Sequence, residues 1–310
     1  QFLYFIGFRR LRPASMRSAV WIVPLGRTGY DACHALQQRV FDAKVAPLRA
    51  ARMARRDVQP SDHLPDVVFI TEHSNSAFTM GRRDTSAGFR SDELRAQMQR
   101  AAKDRIAGDT AAVLDALRAP APTVCRQISR GGGLTWHGPG QVTVYPIVAF
   151  KRWWQLHPAD VRGSSPLHWV TDQLEQAMVA TAAGVGAGRA HTSKVGVWLP
   201  QAGALDGEAK VGFVGLAAAD FVSMHGCSMN VRGDNAAFDH IEMCELPRKV
   251  PTTLAAHVPG GMTPGVDAIG TMIAGHFVDR MLPDRRSGVD VKTFTSTKAG
   301  LDAVLDTFSL

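Results

Sequence analysis

Hydrophobic positions recur along the chain with two periods, two residues and about 3.6, and the switches between them predict the elements. "AVWIVPLG" (19–26) reads as a first strand, and 28–51 as the helix after it, with Leu36, Val40 and Phe41 on one face. "PDVVFITEH" (65–73) is β-branched and apolar enough to be a buried strand, running into a polar loop over 74–86 that contains Gly81. Residues 91–122 are rich in Ala, Arg, Asp and Leu and start with Ser91 as an N-cap. They predict one or two exposed helices, inserted over 84–122 and closed by a Pro/Ala spacer. "QVTVYPIVAF" (141–150) is a strand, and 166–188 an amphipathic helix stopped by glycines. "KVGVW" from Lys194 and "KVGFVG" from Lys210 flank a segment of turn formers, which predicts an antiparallel hairpin. A strand over 220–231 and a helix over 266–283 follow, and the residues after Pro283 are polar and predicted peripheral. Hairpin and crossover connections together predict a mixed β-sheet flanked by helices, in one α/β domain over 19–285 with a tail at 286–310.

Charge and cysteine content narrow the function classes. The 310 residues carry 35 Lys and Arg against 28 Asp and Glu, a formal +7. That excess favours an acidic partner. The positive residues form no dense block with interleaved aromatics, so a nucleic-acid partner is not expected. No apolar run approaches the roughly 18 residues of a membrane span. Cys33, Cys125, Cys227 and Cys244 include no C-x-x-C pair and no clustered metal-ligand spacing. Free thiols in a reduced compartment are expected, one of them available as a nucleophile. The basic leader over 1–18, with Arg9, Arg10, Arg12 and Arg17, is continued by Arg27 before the first acid, Asp31. It reads as the remnant of a mitochondrial transit segment or as a simple basic arm. The expected location is mitochondrial in a eukaryote and cytoplasmic otherwise.

The densest chemistry lies in "RGGGLTWHGPGQVTVYPIV" (130–148). Gly131, Gly132 and Gly133 carry no Cβ, so a ligand can approach the main chain and its N–H groups. Arg130 can fix the loop and His137 can touch the same ligand. No Gly-Lys-Ser/Thr follows, so this is not a phosphate-binding P-loop. Taken alone, the stretch is equally a structural strand entry.

The order of pieces "EHSNSAFTMGRR", "RGGGLTWHGPGQVTVYPI", "GVW", "KVGFVGL", "SMHGCSMNV" and "FDHIEMC" resembles the lipoyl(octanoyl) transferase family over roughly residues 20–282. The resemblance implies a fold shared with lipoate and biotin protein ligases. Those relatives activate a free acid with ATP and usually show His-Asp-x-Gly-Asn where this chain has His137-Gly138-Pro139-Gly140-Gln141. The difference favours the transferase. The implied reaction moves an octanoyl (or lipoyl) group from acyl carrier protein to an enzyme cysteine, then to a lysine of a lipoyl domain. Implied acceptors are E2 subunits of 2-oxoacid dehydrogenases and the glycine cleavage H protein, and no cofactor or metal is needed. By position the nucleophile is Cys244 and its helper Lys210. The acyl pocket is implied to involve Arg130, Gly131, Gly132, Gly133, Leu134, Thr135, Trp136, His137, Phe213, Val214, Gly215, Gly226, Cys227 and Ser228.

Where the family reads Pro-Cys-Gly this chain has Met243-Cys244-Glu245, which puts an anion beside the nucleophile. Cys227 is a rival thiol and Lys194 a rival amine, while Cys33 and Cys125 read as packing residues. Two other functions remain: an ATP-dependent lipoate or biotin ligase, and a non-catalytic protein that binds acylated carriers or lipoyl domains.

Overall fold

A computed structural model describes residues 19–59, 62–83, 85–100, 109–192, 195–243, 249–282 and 289–310. The leader 1–18, Lys194, and Cys244 with Glu245 lie outside the described residues. The first half of the chain forms β1 (Ala19–Thr28), α1 (Tyr30–Met53), β2 (Asp66–His73), β3 (Ala77–Met80), α2 (Asp92–Arg100), α3 (Thr110–Ala116), β4 (Val124–Gln127), β5 (Leu134–His137) and β6 (Gln141–Ile147). It continues with α4 (Phe150–Leu156), α5 (Ala159–Arg162), α6 (Pro166–Gly184), β7 (Val197–Pro200), β8 (Glu208–Ala219), β9 (Val222–Asn230), α7 (Val266–Met281), β10 (Asp290–Thr293) and α8 (Thr297–Phe308).

Among the described residues, seven strands form one mixed sheet in the order β10-β1-β2-β6-β9-β8-β7, and three form a small one, β4-β3-β5. Alternation along each strand divides the large sheet between two cores. Val142 and Val144 of β6 face a layer built by α6 and α7, with Leu174, Met178, Ile273 and Phe277. Tyr145 and Ile147 face the opposite layer, with Leu36 and Val40 of α1 and Val304 and Phe308 of α8. The predicted hairpin is present: β7 pairs antiparallel with β8, and β8 with β9. Asp220 and Phe221 close the β8–β9 turn, both at positive φ, which matches the twist of a two-residue hairpin loop. Arg49 and Arg52 of α1 hold Asp220 there.

Three stretches differ from expectation. Residues 77–80 are not loop but the central strand of the small sheet, pairing with β4 and β5. The 84–122 segment is not wholly exposed. Val113 and Leu117 are buried against the α1 layer, and the Leu117 carbonyl accepts from Gly29 N–H (2.9 Å) at the start of α1. The C-terminal residues are not peripheral: β10 extends the large sheet in parallel with β1, and α8 packs beneath it.

A buried ionic node ties these layers together. Asp66, at the start of β2, accepts from Lys44 Nζ of α1 (2.9 Å), from Arg152 of α4 (2.6 Å), from Trp153 Nε1 (2.6 Å) and from Ala149 N–H (2.8 Å). Lys44 also donates to the Leu64 and Pro65 carbonyls, both at 2.8 Å. Burial alone would raise the Asp66 pKa, but Arg152 and Lys44 overrule it and hold the carboxyl well below the usual range. The anion is therefore kept, and its contribution is present above the ordinary carboxylate pKa near 4 and lost as pH falls below it. Asp66→Ala would leave two cations without their anion, and the expected loss is about 3–5 kcal/mol of unfolding free energy. Urea denaturation at neutral pH checks it; a loss under about 1 kcal/mol would remove the node from the forces holding α1 and α4 to the sheet.

Candidate active site

Between the small sheet and the β6–β9–β8 face lies a cavity of about 510 Å³, open to solvent on one side. The glycine loop forms its lid-side wall, and how that loop is held follows from Arg130. The buried guanidinium donates to Thr79 O (2.8 Å), Thr79 Oγ1 (2.8 Å) and Gly131 O (2.9 Å). Gly81 N–H donates to Gly133 O (3.2 Å) and Arg82 N–H to Arg130 O (2.9 Å), so the loop is strapped to the end of β3. Gly131 N–H donates to Leu216 O (2.9 Å) on β8. That amide was expected to be open to a ligand; it is spent on joining the two sheets.

Strand alternation sorts the expected pocket residues. Thr135 and His137 line the cavity, together with Arg130, Gly131, Gly132, Gly133, Phe213, Val214, Gly215, Gly226, Cys227 and Ser228. Leu134 and Trp136 do not. They point to the other face of β5, into an apolar cluster with Phe78, Phe89 and Phe238, where the Trp136 and Phe238 rings meet edge to face at 5.4 Å. Residues not foreseen also line it: Tyr30 from α1, Thr143 and Tyr145 from β6, His225 from β9, and Leu167, His168 and Thr171 from α6. Tyr30 and the α6 residues come from distant parts of the sequence, so no local spacing marks them, whereas Thr143, Tyr145 and His225 lie inside the stretches already singled out.

Lys210 lies in the cavity wall and is buried, with Nζ 5.1 Å from the Phe213 ring centre and 5.2 Å from that of Trp198. The packing of a lysine stem against rings is a normal way to bury its methylenes. Gly196 makes the room: a Cβ there would fall 2.5 Å from Lys210 Cε, and its φ of +100° suits only glycine. The described residues that flank 244–248 in sequence pack beside Lys210 and Phe213. Met243 is buried in the cluster that holds Phe213, while Val250 O accepts from Lys210 N–H (2.9 Å) and Thr252 N–H donates to Lys210 O (2.8 Å). Burial drives the pKa of the rival thiol, Cys227, far up, and that of Cys33 up to about 12. Cys125 is pushed to about 11 for the same reason. Burial thus makes all three poor nucleophiles.

The His-Gly-Pro-Gly-Gln stretch has a structural logic. Gln141 N–H donates to Gly138 O (3.1 Å), a turn that Gly140 completes at φ +85°, and it swings the Gln141 side chain back onto His137. Gln141 Nε2 donates to Trp136 O (3.1 Å) and to Asn230 Oδ1 (2.9 Å), which fixes the amide orientation. Its Oε1 then accepts from His137 Nδ1–H at 2.8 Å, leaving the lone pair on Nε2. His73 is fixed likewise: Nδ1 donates to Thr28 O (3.3 Å) and Nε2 accepts from Tyr145 OH (2.7 Å). His34 stacks on His225 (5.5 Å), and Tyr30 on His137 (6.0 Å). His225 sits at φ +63°, a strained conformation for a non-glycine residue, with Nε2 3.2 Å from Ser129 Oγ. Burial lowers every one of these imidazoles: His34 and His137 to about 4, His73 to about 3, and His225 well below its ordinary value. Near neutral pH His137 and His225 in the wall, and His34 and His73 packed against them, are therefore uncharged. Among the described residues no group of His, Cys, Asp or Glu is arranged to hold a metal ion, and no helix is long and apolar enough to cross a membrane.

A family model for the lipoyl protein ligase A/B catalytic domain matches residues 113–277. An octanoyltransferase of Mycobacterium sp. (strain KMS) is 36% identical over 172 residues, 54% of this chain, and the match spans only 65% of that relative's length. An octanoyltransferase of Desulfotalea psychrophila is 30% identical over 236 residues, covering 76% of this chain and 82% of the relative. A probable octanoyltransferase of Schizosaccharomyces pombe is 29% identical over 61% of the chain and 67% of its own length. Among solved structures, a bipartite lipoate protein ligase of Thermoplasma acidophilum superposes with a TM-score of 0.52 over 95% of this chain and 92% of that one, at 10% identity. P. falciparum LipL1 in complex with lipoate gives 0.52 over 94% and 71%, at 8% identity. Identities this low speak for the fold alone.

The neutral histidines make stability sensitive to acid. Their folded pKa values lie below the unfolded value near 6.5, so the unfolded chain binds protons that the folded chain refuses. Stability is complete above about pH 6.5 and falls as pH drops toward 4, with about one proton taken up on unfolding for each of the four. Urea midpoints measured from pH 7 to pH 4 should show this slope, and His34→Phe should lower it by about one proton. An unchanged slope in that variant would mean His34 is already protonated in the folded protein.

Proposed function

Given that the chain belongs to the lipoyl protein ligase A/B catalytic domain family, we propose that it is an octanoyltransferase acting through a cysteine thioester. The observation that carries this reading is Lys210, buried in the wall of the cavity, with its own backbone bonded to the strand segment that follows Cys244. A free thiol has a pKa near 8.5, so it needs help to ionise at neutral pH. An ammonium within about 4–6 Å supplies that help, lowering a thiol pKa by roughly one to three units.

In the proposed cycle, the Cys244 thiolate attacks the carbonyl of an octanoyl thioester on acyl carrier protein. The carbon–sulfur bond to the carrier breaks, and the leaving thiolate takes a proton from Lys210. The neutral Lys210 amine then receives a proton from the acceptor lysine as that amine attacks the acyl-cysteine. Collapse expels the Cys244 thiolate and leaves an amide. The energy of the donor thioester is conserved in the acyl-enzyme, so ATP has no role. The glycine loop covers the acyl chain, and Phe213, Val214 and Leu216 give it apolar contact. The acceptors in this reading are lipoyl domains of 2-oxoacid dehydrogenase E2 subunits and the glycine cleavage H protein. The net charge of +7 favours the approach of acidic carriers and acceptors. In a eukaryotic cell this activity belongs in the mitochondrion.

Mixing the protein with octanoyl-acyl carrier protein should add one octanoyl group by intact-protein mass spectrometry. The adduct should be labile to hydroxylamine and absent from Cys244→Ser. Lys210→Ala should move the pH dependence of Cys244 alkylation upward by about one to three units. No adduct on an intact protein, with octanoylation only when ATP and magnesium are added, would replace the transferase by a ligase. An adduct that survives in Cys244→Ser would move the nucleophile to Cys227.

A further inference from the structure

Lys210 serves the proposed cycle only if it stays in one place and holds its proton until the carrier thiolate leaves. Helix α6 brings up a group suited to both needs. Its residues Leu167, His168 and Thr171 line the cavity. Glu175 stands four residues beyond Thr171, one turn further along the same helix face. Its carboxylate is part-buried, and Oε1 accepts from Gly196 N–H at 2.5 Å. Gly196 is the residue that makes room for the amine. A Cβ there would fall 2.5 Å from Lys210 Cε and 3.0 Å from Nζ. One glycine thus carries the carboxylate on its nitrogen and the amine against its α-carbon.

The two charges act on each other across that glycine. Burial raises the Glu175 pKa above its ordinary value and Asp172 adds to this, while the Gly196 N–H and the charge of Lys210 oppose it. What the ammonium does for the carboxylate, the carboxylate does for the ammonium. The amine needs that help. Among the described residues that line the cavity are the cations Arg83 and Arg130, with His168, and no carboxylate. Lys249 also approaches the Trp198 ring (5.2 Å), but Asp206 (2.8 Å) and Glu208 (3.1 Å) hold it. Cys227, in the β9 part of the wall, is kept a neutral thiol by burial, and the Glu175 charge adds to that effect. The carboxylate therefore also discourages the wrong sulfur from ionising.

Resting on the reading of Lys210 as the proton donor and acceptor of the cycle, we propose that Glu175 is its positioning residue. The carboxylate fixes the Gly196 turn that houses the amine and places a negative charge beside the ammonium, so that Lys210 holds its proton until a thiolate leaves. Glu175 touches neither the acyl group nor the carrier and acts only through Lys210.

Lysine labelled with ¹³C at Cε reads the amine directly by NMR in the full chain, and the signal missing from Lys210→Arg assigns it. Glu175→Gln keeps an acceptor for the Gly196 N–H and removes the charge. In that variant the Lys210 titration midpoint should fall by about one pH unit, a tenfold weaker hold on the proton. Glu175→Asp keeps the charge and should titrate closer to the wild type. An unchanged midpoint in Glu175→Gln would overturn the inference. So would an equal fall in both variants, which a packing defect explains. If Glu175→Gln does not fold, the wild type carries its own check. Its Lys210 signal should show a second, smaller step above the ordinary glutamate range as Glu175 takes its proton, and the absence of that step would overturn the inference.

Acylation by octanoyl-acyl carrier protein separates this inference from the reading it rests on. The alkaline fall in the acylation rate should move down in Glu175→Gln by the same one unit or so as the Lys210 midpoint. If the midpoint falls and the rate profile stays, Glu175 still positions the amine, and it is the part given to Lys210 in the cycle that is lost.

Discussion

The cavity exists because one buried guanidinium is satisfied by backbone. Arg130 spends its donors on Thr79 and Gly131, so the small sheet and the glycine loop move as one body. The single amide of Gly131 then bonds Leu216 and fixes that body to the large sheet. Remove the arginine and three carbonyl or hydroxyl acceptors lose a charged donor in a place water does not reach, where each such loss costs about 1–3 kcal/mol. The close approach of the loop to its neighbours depends on glycines that face it: a Cβ on Gly81 would collide with the Gly132 carbonyl, and one on Gly215 would fall 2.8 Å from Arg130 Cδ.

Much of the cavity wall is polar and nevertheless uncharged, although the Arg130 guanidinium also lines it. His137 and His225 line it with Tyr30 and Tyr145, His34 and His73 pack against those two imidazoles, and burial keeps all four imidazoles neutral. The chain of Gln141 and Asn230 running to the Thr252 carbonyl sets the His137 tautomer from the opposite side of the sheet. The α6 side supplies the contrast, with Lys210 as a buried amine among rings.

Much of this was legible in the sequence, for physical reasons that can be named. Helices α1, α6 and α7 are long and amphipathic enough that their period stands out, and the β7–β8 hairpin announces itself by turn residues between two apolar runs. The order of the glycine loop, Lys210 and the Ser-Met-His-Gly strand carried the site. What escaped falls into two kinds. Strand β3 has four residues between polar flanks, too few for a period, and the strand exists because β4 and β5 pair with it. Tyr30 of α1 and His73 of β2 meet His137 only through the tertiary fold, which no spacing encodes. Two other misses were avoidable. The period of two in "LTWH" already separates Thr135 and His137 from Leu134 and Trp136. In α8 the spacing of Leu301, Val304 and Phe308 is that of a helix with one buried face.

The pairing of β10 with β1 has a consequence for how the chain comes to be folded. The parallel partner of Ala19–Ile22 is Asp290–Thr293, 271 positions later (290 against 19). While a ribosome is still synthesising the chain, β1 keeps one edge open until β10 follows it. A parallel pairing at such separation forms slowly, and an open apolar edge is a template for pairing with other chains. The interval between those two events is when this protein most needs a chaperone.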